Sequence, residues 1–217
     1  MTGVRSAESL LNGYTAIIAI NTVVIAIGDV MRYPAHHKAE THKQLVASAG
    51  ALVKTAGFGT TGVDALMRSV GLTGGAFYGH FRSKTQLFRE IIASELDNTR
   101  QRLQKLAGRA AGKARYKAMV NDYFSRWHLD HPEDGCPLPG LSSEVARAGD
   151  DVKQAYEHGL KELHVILTEE LGDDARAWAV IALGVGAVSI GRALASTELQ
   201  EELLNACRQL AGEQARD

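Results

Sequence analysis

The chain has little cysteine, little proline and no excess of charge of either sign, and each shortage narrows what it can be. Its two cysteines, Cys136 and Cys207, lie far apart and make no disulfide framework, so a reducing cytoplasm is the default compartment. Three of the four prolines fall between His128 and Pro139, which marks a loop there and leaves the rest open to long helices. A net charge of -1 at pH 7 points to no partner by itself. Outside the first thirty residues no segment alternates with period two, and there are no internal repeats or low-complexity tracts. The apolar run Tyr14–Ile27 is shorter than the ~20 residues a membrane helix needs and holds Asn21 in its middle. A secretory signal would want a basic start, yet Arg5 is offset by Glu8.

What is present is unevenly distributed. Over 217 residues, enough for one or two domains with a proper core, charge separates along the chain. Residues 32–105 hold 11 Lys/Arg against 5 Asp/Glu, and residues 106–217 hold 12 against 18. A basic first part beside an acidic second part fits phosphate contact by the first. Residues 1–30 match neither part. Translation is expected to start at Met31, with residues 1–30 an extension; a packed or disordered arm and a membrane anchor are the alternatives.

The most informative stretch runs from Thr60 to Lys84. Its spacing predicts two short helices joined at Gly71, with a third beginning at Ser83, which is the outline of a helix-turn-helix. Thr61 stands three residues before Asp64 and Ser83 three before Gln86, both at capping-box spacing. Leu72 can plug the space between the helices while Thr73 caps the second one. Two such units must be held one DNA turn apart, so the remaining chain should carry a dimerisation device.

From Met31 to about Leu96, and most specifically over Gly71-Leu-Thr-Gly-Gly-Ala-Phe-Tyr-Gly-His-Phe-Arg-Ser-Lys84, the chain resembles the N-terminal domain of TetR-type repressors. The resemblance implies an all-α homodimer that binds operator DNA and releases it when a small molecule enters the C-terminal domain. It implies no cofactor, and it places Tyr78 and His80 at positions that touch the sugar-phosphate backbone.

Apolar periodicity predicts an all-α fold of about nine helices, over His37–Ala56, Val63–Val70, Thr73–Tyr78, Ser83–Ala107, Tyr116–Trp127, Gly140–Ala148, Asp150–Leu171, Ala175–Ala195 and Thr197–Leu210. The implied plan is a DNA-binding domain over 31–84, a connecting helix over 85–107, and an effector-binding and dimerisation domain over 108–217.

The segment Thr73–Tyr78 is poor in the Arg, Asn and Gln that usually read base edges. Thr73 can bond a base or phosphate, and Gly74 and Gly75 permit close approach to the groove. Ala76 and Phe77 can meet a thymine methyl, although the resemblance turns Phe77 partly inward. Lys84 sits at a helix N-terminus suited to phosphate, and Thr60 and Thr61 can add phosphate contacts. Specificity should then lean on DNA shape and two-fold spacing.

In the second half, Gly184, Ala187 and Gly191 share one helical face that would let another helix approach. With Leu199 and Leu203 on the last helix they are the expected dimer interface; packing between helices of one chain is the alternative. Gly184-Val-Gly186 lacks the third glycine and preceding strand of a nucleotide loop. Tyr123, Phe124, Trp127, Leu138, Tyr156 and His164 are candidates to line an effector pocket, or else plain core. Cys136, just before a helix start, can gain thiolate character there, while Asp130, Glu133 and Asp134 oppose it. Gly135-Cys136 also resembles a TetR subgroup in which some members sense electrophiles or oxidants. A Cys136 enzyme with His128 or His131 as base, and a metal site on those three residues, are weaker readings; the spacing matches no zinc pattern, and no metal is expected.

Overall fold

The computed structural model describes residues 35–109 and 111–214; the expected extension, residues 1–30, lies outside them. Among the described residues there are nine α-helices, one 3-10 helix and no strand, an all-α fold. The helices are α1 (Ala35–Ala56), α2 (Val63–Arg68), α3 (Lys84–Ala107), α4 (Lys113–Tyr123) and α5 (Arg126–Asp130). They continue with α6 (Leu138–Ala146), α7 (Asp150–Leu171), α8 (Asp174–Ala193) and α9 (Thr197–Gly212), and the 3-10 helix spans Gly74–Gly79.

A small head forms where α1, α2 and the 3-10 helix pack on the first half of α3. Leu45, Ala49, Val53, Leu66, Phe77, Phe81, Leu87 and Ile91 close its core with no more than 1% of any side chain exposed. These are the apolar positions of the sequence periodicity, buried together as a helical stripe requires. The body is built on α3 and α7, which pack extensively against each other. Their close approach depends on Gly159, where a Cβ would stand 2.6 Å from the Leu96 Cβ.

Helix ends follow local chemistry. Ser83 Oγ accepts from Gln86 N at 3.0 Å, and the Gln86 side chain accepts from Arg82 N at 2.8 Å, so the expected cap before α3 forms. Gly172 ends α7 in the left-handed region at φ 63°. Two expected caps do not form. Gly62, not Thr61, precedes α2, and the Thr61 hydroxyl donates back to Gly57 O at 2.5 Å. Thr73 makes no side-chain cap.

The single helix expected over Tyr116–Trp127 is two. Ser125 breaks it by donating to Asp122 O at 2.7 Å and capping α5 through His128 N at 3.1 Å. The Phe124 carbonyl freed at the break accepts from the Arg208 guanidinium of α9. Helix α8 is long and apolar enough to cross a membrane by length and composition, with 33% of its most apolar window buried in the body.

Candidate nucleic-acid interface and effector chamber

The turn between α2 and the 3-10 helix is closed by Leu72 N donating to Met67 O at 3.0 Å and by Gly71 at φ 73°, a conformation that favours glycine. Leu72 packs partly buried against the core, as a plug between the two helices should. The recognition segment is 3-10, not α, because two adjacent glycines weaken the helix by roughly 1 kcal/mol each.

The two glycines do different things. A Cβ on Gly74 would collide with the Asp64 carboxylate of α2, so this glycine serves the approach of the two helices, not the approach of DNA. Gly75 is exposed with nothing near it, open to a groove. Phe77 and Tyr78 divide likewise. Phe77 is 1% exposed and packs on Phe81, so the thymine contact open to it in the sequence gives way to a core role. Tyr78 is 75% exposed. Ala76 is half-buried, packed against the same core. Thr73 is exposed, and His80 is half-buried beside His42 and Phe81.

Three expected phosphate ligands are turned back on the protein. Thr60 Oγ1 donates to Ala56 O at 2.5 Å, Thr61 is 6% exposed and donates as above, and Lys84 Nζ donates to Phe58 O at 2.8 Å while lying over the Phe58 ring. Together these groups satisfy carbonyls left open where α1 ends. Sequence reasoning passed over Arg68 and Arg82, both exposed on either side of the recognition segment. Their signal was there: cations flanking a helix-turn-helix.

In the body, α3, α4, α6, α7 and α8 line an apolar chamber. Thr99, Leu103, Tyr116, Met119, Val120, Tyr123, Phe124, Cys136, Leu138, Leu163, Leu167, Val180 and Ile181 line it. Tyr123, Phe124 and Leu138 were expected there. Trp127 is not: it is 41% exposed, stacked on His131 with the Arg102 guanidinium over its ring. His164 stacks on Trp178, away from the lining. Tyr156 lies behind the lining and hydrogen-bonds Ser142 Oγ at 2.8 Å. These misplacements share a cause, since helical spacing names a face without saying what it meets.

A polar cleft adjoins the chamber and shares Thr99, Leu103, Tyr123 and Cys136 with it. The buried pair Lys54–Glu95 (2.5 Å) and the Arg102–Asp122 pair (2.8 Å) lie on its walls. His128 is fixed at both nitrogens: Nδ1 pairs with Tyr123 O at 2.7 Å, and Nε2 accepts from Cys136 N at 3.0 Å. Burial holds its pKa down at about 4, so the ring is neutral at pH 7. Because Nε2 is taken by a backbone N–H, His128 is not placed to draw the proton from the Cys136 thiol, and His131 stacks on Trp127 instead. Among the described residues no His, Cys, Asp or Glu cluster is arranged to hold a metal. Burial pushes the Cys136 thiol up; the Leu138 N–H at the start of α6, the Tyr123 and Thr99 hydroxyls and the Lys54 ammonium pull the other way without prevailing.

The face Gly184, Ala187 and Gly191 of α8, expected at a dimer interface, is buried inside the chain. A Cβ on Gly184 would stand 2.8 Å from the Tyr123 ring, and one on Gly191 2.8 Å from Leu129 Cδ1. Small residues here do permit close helix approach, but the partners are α4 and α5. The opposite face of α8, with Trp178 and Ile190 exposed at 44% and 54%, is open, and Leu199 and Leu210 of α9 are half exposed beyond it.

A compact helix-turn-helix head on an all-α body with an internal chamber defines a DNA-binding transcriptional regulator. Residues 45–91 match the family model for bacterial regulatory proteins, tetR family. The HTH-type transcriptional repressor NemR of Escherichia coli (strain K12) is 25% identical over 142 residues, 63% of this chain and 69% of that one. The HTH-type transcriptional activator FasR of Mycolicibacterium smegmatis is 24% identical over 157 residues, 71% of each chain. Among solved structures, the reduced form of E. coli NemR superposes with a TM-score of 0.69 at 21% identity, covering 79% of this chain and 95% of that one. A TetR-family transcriptional regulator from Cytophaga hutchinsonii gives 0.67 at 20% identity, covering 83% and 98%. Residues 45–91 thus match a tetR-family regulatory domain, and the chain shares the all-α fold of TetR-type regulators.

Proposed function

We propose that the protein is a cytoplasmic, homodimeric repressor whose head leaves operator DNA when a small molecule fills the chamber. The observation that carries this reading is a set of latches between the chamber wall and the head. The wall segment 135–144 contributes Cys136 and Leu138 to the chamber. From the same segment, Gly135 O accepts from Lys54 Nζ of α1 at 3.1 Å, and the Glu144 carboxylate accepts from Phe58 N and Gly59 N at 2.8 and 2.6 Å. A ligand that displaces the wall shifts both latches and re-aims the recognition segment. Repression is then differential affinity of DNA for two head positions.

In this reading Thr73, Gly75, Tyr78 and His80 face DNA, with Arg68 and Arg82 flanking them as phosphate partners. The dimer forms through the outer face of α8 (Ala175, Ala179, Ala182, Gly186, Ile190) with Leu199, Leu203 and Leu210 of α9. Four of these eight side chains are small or absent, so a second copy can seat closely against them. Leu203→Arg should yield a monomer by light scattering that no longer shifts operator DNA.

The test of the whole reading is a gel shift with DNA flanking the gene, repeated across salt concentrations. Binding that weakens steeply with salt is expected, since phosphate contacts release counterions. Absent or salt-insensitive binding overturns the proposal. A second reading, release by electrophiles through Cys136, draws on the position of that thiol in the chamber wall. Its burial keeps it protonated and slow, and release that persists in Cys136→Ser ends it.

A further inference from the structure

We infer that the chamber takes a neutral, largely apolar molecule of one or two rings carrying a hydrogen-bond acceptor, to which the Tyr123 hydroxyl donates. This rests on the chamber being the effector site and adds the chemistry of its occupant.

Tyr123 comes from the last turn of α4 and lines both the chamber and the cleft. Its ring is fixed on three sides, by Phe124, by His128 edge-on at 4.5 Å and by the missing side chain of Gly184. Its hydroxyl is sealed from solvent and meets no oxygen or nitrogen partner; its neighbour is the Cys136 thiol, a weak acceptor. A buried hydroxyl is normally satisfied, and one held in place without such a partner at the wall of a cavity lacks something that the cavity can supply. Burial keeps this phenol protonated, so it has a proton to give.

The rest of the lining sets what surrounds that acceptor. Leu103, Met119, Val120, Phe124, Leu163 and Val180 offer only hydrocarbon and ring surface. No Lys, Arg, Asp or Glu lines the chamber; in the cleft next door Lys54 pairs with Glu95 and Arg102 with Asp122, and Glu133 and Asp134 add negative charge. A charged ligand would lose its hydration in the chamber with no counter-ion to replace it. The cleft that shares Thr99, Leu103, Tyr123 and Cys136 gives a polar approach to the chamber.

The experiment is isothermal titration of the full-length protein, without DNA, with four probes of one shape: acetophenone, ethylbenzene, benzoate and benzylammonium. Acetophenone should bind about tenfold more tightly than ethylbenzene, the effect of one net hydrogen bond at a buried site. Benzoate and benzylammonium should bind more weakly than either. Tyr123→Phe should bring acetophenone down to the level of ethylbenzene and leave ethylbenzene binding unchanged, which also shows that the chamber is intact. Equal binding of the two neutral probes, a gap that survives Tyr123→Phe, preference for a charged probe, or no binding of any probe overturns the inference. Failure of the regulatory reading looks different: acetophenone binds with the expected discrimination but leaves the operator gel shift unchanged.

Discussion

Thr60, Thr61 and Lys84 in the head and Tyr123 in the body are all polar groups placed where a ligand was expected, and their surroundings treat them in opposite ways. The three in the head bond to carbonyls at the end of α1, so they hold the shape of the head. Tyr123 has only the weakly accepting Cys136 thiol beside its hydroxyl, because its surroundings fix the ring and offer the hydroxyl no oxygen or nitrogen. What remains outward on the recognition segment itself is small or flat, chiefly Gly75 and Tyr78. A satisfied polar group builds the scaffold, and an unsatisfied one at a cavity wall marks the binding site.

The largest test of this contrast is Lys54→Met. Lys54 is 8% exposed and paired with Glu95, itself 6% exposed, so removing it strands a buried carboxylate. A loss of about 3–5 kcal/mol in urea unfolding is expected, largely restored by adding Glu95→Leu. If the single variant unfolds like the parent, the pair is not structural.

Acidification comes next. His128 has a folded pKa of about 4, below its ordinary 6.5, so the unfolded chain takes up the proton first as pH falls. The stability contributed by the neutral ring is complete above about pH 6.5 and drains away toward pH 4, some 2 kcal/mol between pH 7 and pH 5. His128→Gln should flatten that part of the urea midpoint profile; a profile unchanged by the substitution would contradict the assignment.

Smaller still is a pair of opposite signs on α8. Gly184→Ala presses on the Tyr123 ring, with overpacking of about 1–3 kcal/mol partly offset by a helix-propensity gain of about 1 kcal/mol, and should destabilise. Gly186→Ala meets nothing within the chain and should stabilise by up to about 1 kcal/mol. Equal effects would erase the distinction between the two faces. Smallest in stability is Tyr78→Ala, expected within about 0.5 kcal/mol of the parent because the side chain is 75% exposed, while operator binding in a gel shift should fall.

The elements legible in the sequence were those whose signal is local. Ser83 with Gln86 and the turn at Gly71 are each decided by a few neighbouring residues, and each formed as read. The helix-turn-helix was legible for the same reason. Partners distant in the chain were not. The small face of α8 was readable as a place of close approach, but whether α4 or a second copy fills it depends on residues sixty positions away. Trp127 and His164 kept the period of their helices yet met Arg102 and Trp178 on the surface. Ser125 stopped a helix that apolar spacing would have continued, because its hydroxyl competes for backbone groups at both ends of the break.

The 3-10 turn Gly74–Gly79 makes this protein a better ruler than reader. With Phe77 buried and Gly75 bare, the proposed DNA face offers little more than backbone and one tyrosine. Lengthening the gap between operator half-sites by a single base pair should then cost more affinity than exchanging most base pairs within a half-site. Sites in a genome would be sorted chiefly by their geometry, and operators of divergent sequence could answer to the same dimer.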